Sequence, residues 1–179
     1  MPSPEPPYDV VLLNGTVGAG KTTTARALSD LERSAGRAHA VVDLDQVRLL
    51  YPPPPGDPFQ HEVELANLRD LTRNYRSAGA ARMILAGVVE DASELSRYAE
   101  ALGSGRVLLC RLTVEPAVAE ERLRRRHSEE PVALAWHLDR TVELSRLLDE
   151  VPFEDVRIDT TGRAPGAVAR DVQRAAGWA

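Results

Sequence analysis

Apolar residues fall along the chain in short runs separated by longer amphipathic stretches. Five runs are short and mostly aliphatic, which is typical of buried strands; they cover residues 8–13, 40–43, 82–89, 106–113 and 156–159. The stretches between them repeat apolar residues every three or four positions, as on one face of a helix. We expect helices over residues 21–34, 60–78, 93–102, 116–127, 131–148 and 165–176, with one or two turns over 44–50. Residues 51–58 hold five prolines, so this segment is predicted to be a loop.

Strands that alternate with helices predict a particular architecture. We expect an α/β fold in which a doubly wound, five-stranded parallel sheet carries helices on both faces. Ligands of such sheets bind outside the carboxyl ends of the strands. The expected organisation is a flexible N-terminal tail over residues 1–7 and a single domain over residues 8–179.

Composition narrows the class of protein. Of the 179 residues, 43% are apolar and 27% charged, as in globular proteins. No apolar run approaches the roughly 18 residues that cross a membrane, and residues 1–7 hold no basic residue of the kind that opens a signal peptide. We therefore expect a cytoplasmic protein without a membrane partner, either a monomer or a homodimer. The net charge of -5 argues against an extensive nucleic-acid surface, and the single cysteine excludes an intrachain disulfide.

A glycine-rich segment follows the first predicted strand. Residues 15–22 read Gly-Thr-Val-Gly-Ala-Gly-Lys-Thr, which is the pattern G-x-x-x-x-G-K-[ST] of a phosphate-binding loop. Loop amides and the N-terminus of the following helix attract phosphate. Lys21 is the only lysine among 21 arginines, and its compact ammonium differs from a planar guanidinium.

This segment predicts a site for ATP and Mg²⁺. Lys21 would reach the β- and γ-phosphates, and the Thr22 hydroxyl would bind Mg²⁺. The residues expected to contact the nucleotide are Gly15, Thr16, Val17, Gly18, Ala19, Gly20, Lys21, Thr22 and Thr23.

The loop and its setting resemble the P-loop kinases, which include adenylate, shikimate and adenylylsulfate kinases and chloramphenicol phosphotransferase. The pattern is most similar to adenylylsulfate kinase, which carries D-G-D-x-x-R after its second strand; residues 43–48 read Asp-Leu-Asp-Gln-Val-Arg. That family also has phenylalanine eight residues before Asn-Ile-Arg, as Phe59 precedes Asn67-Leu68-Arg69 here. The chain departs from the family at two places. The family has an arginine where this chain has Glu64, and residues 87–91 differ from the family's pattern. The resemblance implies a kinase fold and phosphoryl transfer, with an acceptor other than adenylylsulfate.

Two carboxylates end the second predicted strand. We expect Asp45 to orient or deprotonate the acceptor hydroxyl, Asp43 to hold magnesium, and Arg48 to grip the acceptor. The alternative is that Asp45 caps the short helix and Arg48 lies on the surface. Glu90 and Asp91 compete with Asp43 for the magnesium.

Three further residues are expected at the acceptor because of the resemblance. These are Phe59, Asn67 and Arg69. Phe59 either stacks on the acceptor or fills the core. Trp136 is expected in the core.

An arginine cluster occupies residues 121–127. Arg122 and Arg126 are four positions apart and share a helix face. In similar kinases such arginines open a lid, here around residues 122–135, and stabilise charge in the transition state. The alternative is a solvated helix balanced by glutamates. Arg163 follows the fifth strand, where it would stack on the adenine or belong to an ordinary turn.

The sequence therefore predicts an ATP-dependent phosphotransferase with a small-molecule acceptor. Two alternatives stay open: a kinase for the 5′-hydroxyl of a nucleotide or nucleic acid, and a non-catalytic nucleotide-binding module. Asp45 argues against the module, because a sensor needs no base. The guanine signature Asn-Lys-x-Asp cannot occur, since the only lysine lies in the glycine-rich loop.

Overall fold

The computed structural model describes residues 7–179, where five parallel strands form one sheet in the order β2-β3-β1-β4-β5. The strands are β1 (Val10–Asn14), β2 (His39–Asp43), β3 (Arg82–Ala86), β4 (Val107–Thr113) and β5 (Val156–Asp159). The helices are α1 (Lys21–Ser34), α2 (Leu44–Val47), α3 (His61–Ser77), α4 (Leu95–Ala101), α5 (Pro116–Arg126), α6 (Pro131–Glu150) and α7 (Pro165–Ala175), with a 3₁₀ turn at Ala92–Glu94. This confirms the predicted doubly wound fold. The predicted tail, residues 1–7, lies outside the described residues except for Pro7.

The central strand β1 separates two apolar layers. Its side chains alternate, so Val11 and Leu13 face α1 and α7, whereas Val10 and Leu12 face α3 and α4. All four are fully buried, which is why the strand itself carries no polar residue before Asn14. Within residues 7–179, no helix is both long and apolar enough to span a bilayer.

One strand is shorter than the apolar pattern predicts. Strand β3 ends at Ala86 instead of continuing to residue 89, because the Asn14 side chain takes both backbone groups of Val89. Its Nδ2 donates to the Val89 carbonyl over 2.9 Å, and its Oδ1 accepts from the Val89 amide over 3.1 Å. Helix α2 is a single turn, in agreement with the predicted one or two turns, and Asp43 caps its N-terminus by accepting from the Asp45 amide over 3.1 Å.

The expectation for Trp136 is wrong. Helix α6 turns Leu144 and Leu148 into the core, and Trp136 stays 54% exposed. The apolar period of α6 does not distinguish its two sides, because valine and leucine also occupy exposed positions such as Val142.

A buried carboxylate anchors α1, the helix that begins at Lys21. Glu32 is fully buried and accepts from Arg82 of β3 and, over 2.9 Å, from Gln173 of α7. Arg37 lies 3.6 Å away. One side chain thus ties α1 to the sheet and to its neighbouring helix.

We predict that Glu32→Ala lowers the free energy of unfolding by about 3 kcal/mol, because the buried guanidinium of Arg82 loses its partner. Asp30→Ala is the matched control on the same helix: its pair with Arg33 is exposed and contributes at most about 1 kcal/mol. Chemical denaturation of both variants measures the difference. Equal losses would show that the buried network does not anchor α1.

Candidate functional site

The glycine-rich loop of residues 15–20 joins β1 to α1 at the carboxyl edge of the sheet. Gly15 has φ 135°, and a Cβ there would lie 2.3 Å from the Leu112 carbonyl oxygen. Any side chain would therefore push the loop away from β4. The Asn14 side chain also accepts from the Gly15 amide over 2.8 Å, so the strand end fixes where the loop begins.

The far side of the loop is held by α5 and by the segment after β5. Arg122 donates to the Gly18 carbonyl over 3.0 Å and to the Thr160 carbonyl over 3.1 Å. The Thr160 hydroxyl donates to the Ala19 carbonyl over 3.0 Å. On the opposite flank, the Thr141 hydroxyl of α6 lies 3.3 Å from the Val17 carbonyl. The loop is thus braced from three elements before any ligand arrives.

The Lys21 ammonium lies inside this loop. Its Nζ donates to the carbonyls of Gly15 and Thr16, each over 2.9 Å. Burial lowers the pKa of Lys21 to about 8, against the opposing attraction of Asp45 and Asp43, while Arg126 and Arg48 lower it further. Neutral carbonyls do not compensate the positive charge of the ammonium, so this charge is left to attract an anion.

Thr22 and Asp43 form a pair beside Lys21. The Thr22 hydroxyl donates to Asp43 Oδ2 over 3.0 Å. Among residues 7–179, no group of three histidine, cysteine, aspartate or glutamate side chains could hold a metal alone. A hydroxyl and one carboxylate fit Mg²⁺, which keeps several waters and takes its remaining ligands from phosphates.

A chain of polar contacts leads from the first turn of α2 into the core. Arg48 donates to Asp45 Oδ1 and lies 3.3 Å from Glu64 Oε2. Glu64 is 1% exposed and also accepts from the Tyr98 hydroxyl. Burial raises the pKa of Glu64, although Tyr98 and Arg48 oppose that rise. Arg48 is therefore fixed between a buried and an exposed carboxylate, contrary to its alternative reading as a free surface residue.

Two cavities meet at the loop. The first, about 390 Å³, opens between the loop and the start of α7, and Arg122, Arg126 and Arg163 line it. The second, about 520 Å³, opens between α2 and α6. Its lining includes Lys21, Asp45, Arg48, Phe59, Glu90, Arg126, Trp136, His137 and Arg140. Arg126 lines both, and within residues 7–179 it makes no ion pair.

The other predicted residues divide between these cavities and the outer surface. Phe59 is 52% exposed at the second cavity, with the Arg140 guanidinium 5.2 Å from its ring centroid. Asn67 donates to the Val47 carbonyl over 2.6 Å and thereby ties α3 to α2. Arg69 lies 3.6 Å from Glu100 of α4, and neither Asn67 nor Arg69 lines a cavity.

The carboxylates that compete for magnesium have other partners. Asp91 caps the 3₁₀ turn by accepting from the Ser93 amide over 2.7 Å. Glu90 pairs with Arg140. Arg163 pairs with Asp171 over 2.6 Å while facing the first cavity.

Sequence reasoning missed Asn14 and Arg140. Neither belongs to a motif, and both act over long separations, Asn14 on Val89 and Arg140 on Glu90. A polar residue closing an aliphatic strand is the one signal that marks Asn14. No local pattern marks Arg140.

A strand, a glycine-rich loop and a helix that starts with Lys-Thr, placed at the centre of a parallel sheet, define the P-loop class of fold. No protein-family model and no curated protein matches the sequence. Solved structures do match: the Deinococcus radiodurans tunicamycin resistance protein is 24% identical, with a TM-score of 0.62, and the match covers 96% of this chain and 97% of that one. The Mycobacterium tuberculosis APS kinase, in complex with AMPPNP and APS, is 16% identical with a TM-score of 0.60, covering 94% and 97%.

A third match is the Acinetobacter baumannii shikimate kinase in complex with shikimate. It is 18% identical with a TM-score of 0.58, and the match covers 94% of this chain and 92% of that one. The chain therefore has the fold of the P-loop kinases.

Because Lys21 is the only lysine, its side chain can be titrated alone. We predict a midpoint near pH 8 in the free protein, measured by NMR after selective isotope labelling of lysine. Asp45→Asn removes an attraction and lowers the midpoint, whereas Arg126→Ala removes a repulsion and raises it. A midpoint near the ordinary value for lysine, unmoved by both variants, would contradict the burial of this ammonium.

Proposed function

We propose that this protein is an ATP-dependent phosphotransferase that moves the γ-phosphoryl group to a hydroxyl of a small molecule. The observation that carries the proposal is the meeting of two cavities at the P-loop, where Gly18, Gly20 and Arg126 line both. One cavity suits a nucleoside and the other an acceptor, with the phosphates between them. Solved structures of the same fold are described as APS, shikimate and sugar kinases, which supports this reaction class.

In this proposal Lys21 exchanges its two loop carbonyls for the β- and γ-phosphates. The phosphate charge then stabilises the ammonium and raises its pKa again. Arg126 lacks a carboxylate partner among the described residues, so its charge is available to the transferring group. Arg122 keeps its contacts to Gly18 and Thr160 and holds the loop in shape.

Mg²⁺ would be held by the Thr22 hydroxyl and by Asp43. When bound, the ion neutralises part of the charge on the β- and γ-phosphates. The hydrogen bond between these two side chains holds them next to each other beside the loop, which supports this assignment.

Asp45 accepts a hydrogen bond from the acceptor hydroxyl and takes its proton. The acceptor oxygen forms a bond to the γ-phosphorus as the bond from that phosphorus to the β-bridging oxygen breaks, leaving ADP. Arg48 orients the Asp45 carboxylate, because buried Glu64 holds Arg48 in turn. Residues 122–135 act as the lid that keeps water from replacing the acceptor.

The first test is ATP consumption with Mg²⁺ and pooled hydroxyl compounds, which include nucleosides and a 5′-hydroxyl oligonucleotide. We predict acceptor-stimulated turnover that Lys21→Ala abolishes, because the variant loses the charge that binds the γ-phosphate. Arg33→Ala, an exposed cation on the same helix, should match the parent.

Three results would contradict this proposal. Turnover by Lys21→Ala at the parent rate would show that the P-loop lysine takes no part in the reaction. ATP binding without turnover in any pool would favour the nucleotide-binding module. Transfer confined to the oligonucleotide, with affinity that falls steeply with salt, would favour the nucleic-acid kinase.

The second test asks whether Asp45 acts as a catalytic base or only as a structural carboxylate, since Asp43 is the residue that caps α2. We predict that Asp45→Asn lowers kcat by about 100-fold, the usual contribution of general base catalysis, while ATP affinity changes by less than about threefold. Asp30→Asn is the matched control, since Asp30 is exposed and distant from both cavities. Small and equal effects of Asp45→Asn on kcat and ATP affinity would reduce Asp45 to a structural residue.

A further inference from the structure

The second cavity has an apolar and aromatic mouth. Leu49, Phe59 and Trp136 line it and are 75%, 52% and 54% exposed. Val88 and Leu144 extend the apolar surface inward. Large side chains that stay exposed together around a cavity mark a binding surface.

The cations of this cavity already have partners. Arg48 lies between Asp45 and Glu64, and Arg140 pairs with Glu90 and Glu143. A guanidinium that is held by two carboxylates offers little net charge to an acidic ligand. Apart from Lys21 and Arg126, the cavity therefore lacks the free cation that recognition of a carboxylate, sulfate or phosphate on the acceptor would need.

Lys21 and Arg126 are the exceptions, but the proposed reaction assigns both to the phosphates. Lys21 binds the β- and γ-phosphates in that proposal, and Arg126 acts beside it. Its charge acts on Lys21, whose pKa it lowers, and it also lines the first cavity. We assign it to the transferring group, so it does not supply a cation to the acceptor.

The two aromatic walls are held in place from behind. The Arg140 guanidinium lies over one face of Phe59, 5.2 Å from the ring centroid. Trp136 makes an edge contact with His137 at 4.9 Å, and His137 stacks on His127 at 4.5 Å. Burial, His127 and Arg126 lower the pKa of His137, which favours a neutral imidazole beside Trp136.

We propose that the acceptor is an uncharged, amphiphilic alcohol whose aromatic or branched aliphatic body packs against Phe59 and Trp136 while its hydroxyl reaches Asp45. This rests on the proposed phosphotransferase function and specifies its substrate class. Phosphoryl transfer converts this alcohol and ATP into a phosphate monoester and ADP, with one proton released through Asp45.

The experiment compares two pools of alcohols in Lys21-dependent transfer. One pool holds neutral alcohols with an aromatic or branched aliphatic body, and the other holds alcohols that bear a carboxylate, sulfate or phosphate. We expect transfer to the neutral pool. Phe59→Ser and Trp136→Ser should each raise the acceptor KM about tenfold, the usual effect of losing an apolar contact, with the KM for ATP unchanged. Val142→Ser, an exposed apolar position of α6 outside the cavity, should match the parent.

Tryptophan emission gives a second readout that needs no turnover. Trp178 is fully buried and Trp136 half-exposed, so a ligand at the cavity mouth shifts only the Trp136 emission to shorter wavelength. Trp136→Phe should abolish the shift, because buried Trp178 is then the only tryptophan in the chain.

The outcomes distinguish the two proposals. Transfer confined to the acidic pool, or equal KM values for Phe59→Ser and Val142→Ser, would overturn the substrate class and leave the kinase reaction standing. An emission shift with the neutral pool but no transfer would support the ligand class and refute the reaction. Neither transfer nor shift with either pool would overturn both.

Discussion

The site depends on a single buried amide, that of Asn14. It closes the central strand, fixes the first amide of the P-loop, and takes both backbone groups of Val89. A buried side-chain amide must find hydrogen-bond partners, and here they come from two segments 75 residues apart. Strand β3 consequently stops at Ala86, and the chain beyond it leaves the sheet to form part of the second cavity. One residue thus sets both the shape of the loop and the room beside it.

Charge is distributed unevenly around that loop. Arg48 and Arg140 are each held by carboxylates, whereas Lys21 rests on neutral carbonyls and Arg126 has no ion-pair partner between residues 7 and 179. Lys21 and Arg126 both line the second cavity, beside the glycine-rich loop. Their mutual repulsion and the burial of Lys21 both destabilise the charged ammonium, and a bound anion would offset these effects.

Local sequence was enough to predict the fold and, within the candidate site, the half that the glycine-rich loop forms. Aliphatic runs gave the five strands, since strands buried on both faces tolerate little else, and the loop motif is contiguous. The other half depends on contacts between distant segments. From sequence alone, Phe59 and Trp136 could equally have been core residues, because an aromatic residue on a helix or loop does not indicate whether it faces the core or a binding surface. The role of Arg140 depends on the packing of α6 beside Glu90, so it could be identified only from the structure.

Helix α6 touches both halves of the molecule. Thr141 contacts the Val17 carbonyl of the P-loop, and Trp136, Arg140 and Leu144 form a wall of the second cavity. A ligand that shifts α6 at the P-loop also moves the residues that α6 contributes to the second cavity, and the reverse holds for a ligand in that cavity. The two binding free energies are then linked, and any factor by which a nucleotide alters the affinity for the second ligand must equal the factor in the reverse direction. The coupling has the same size whichever ligand binds first.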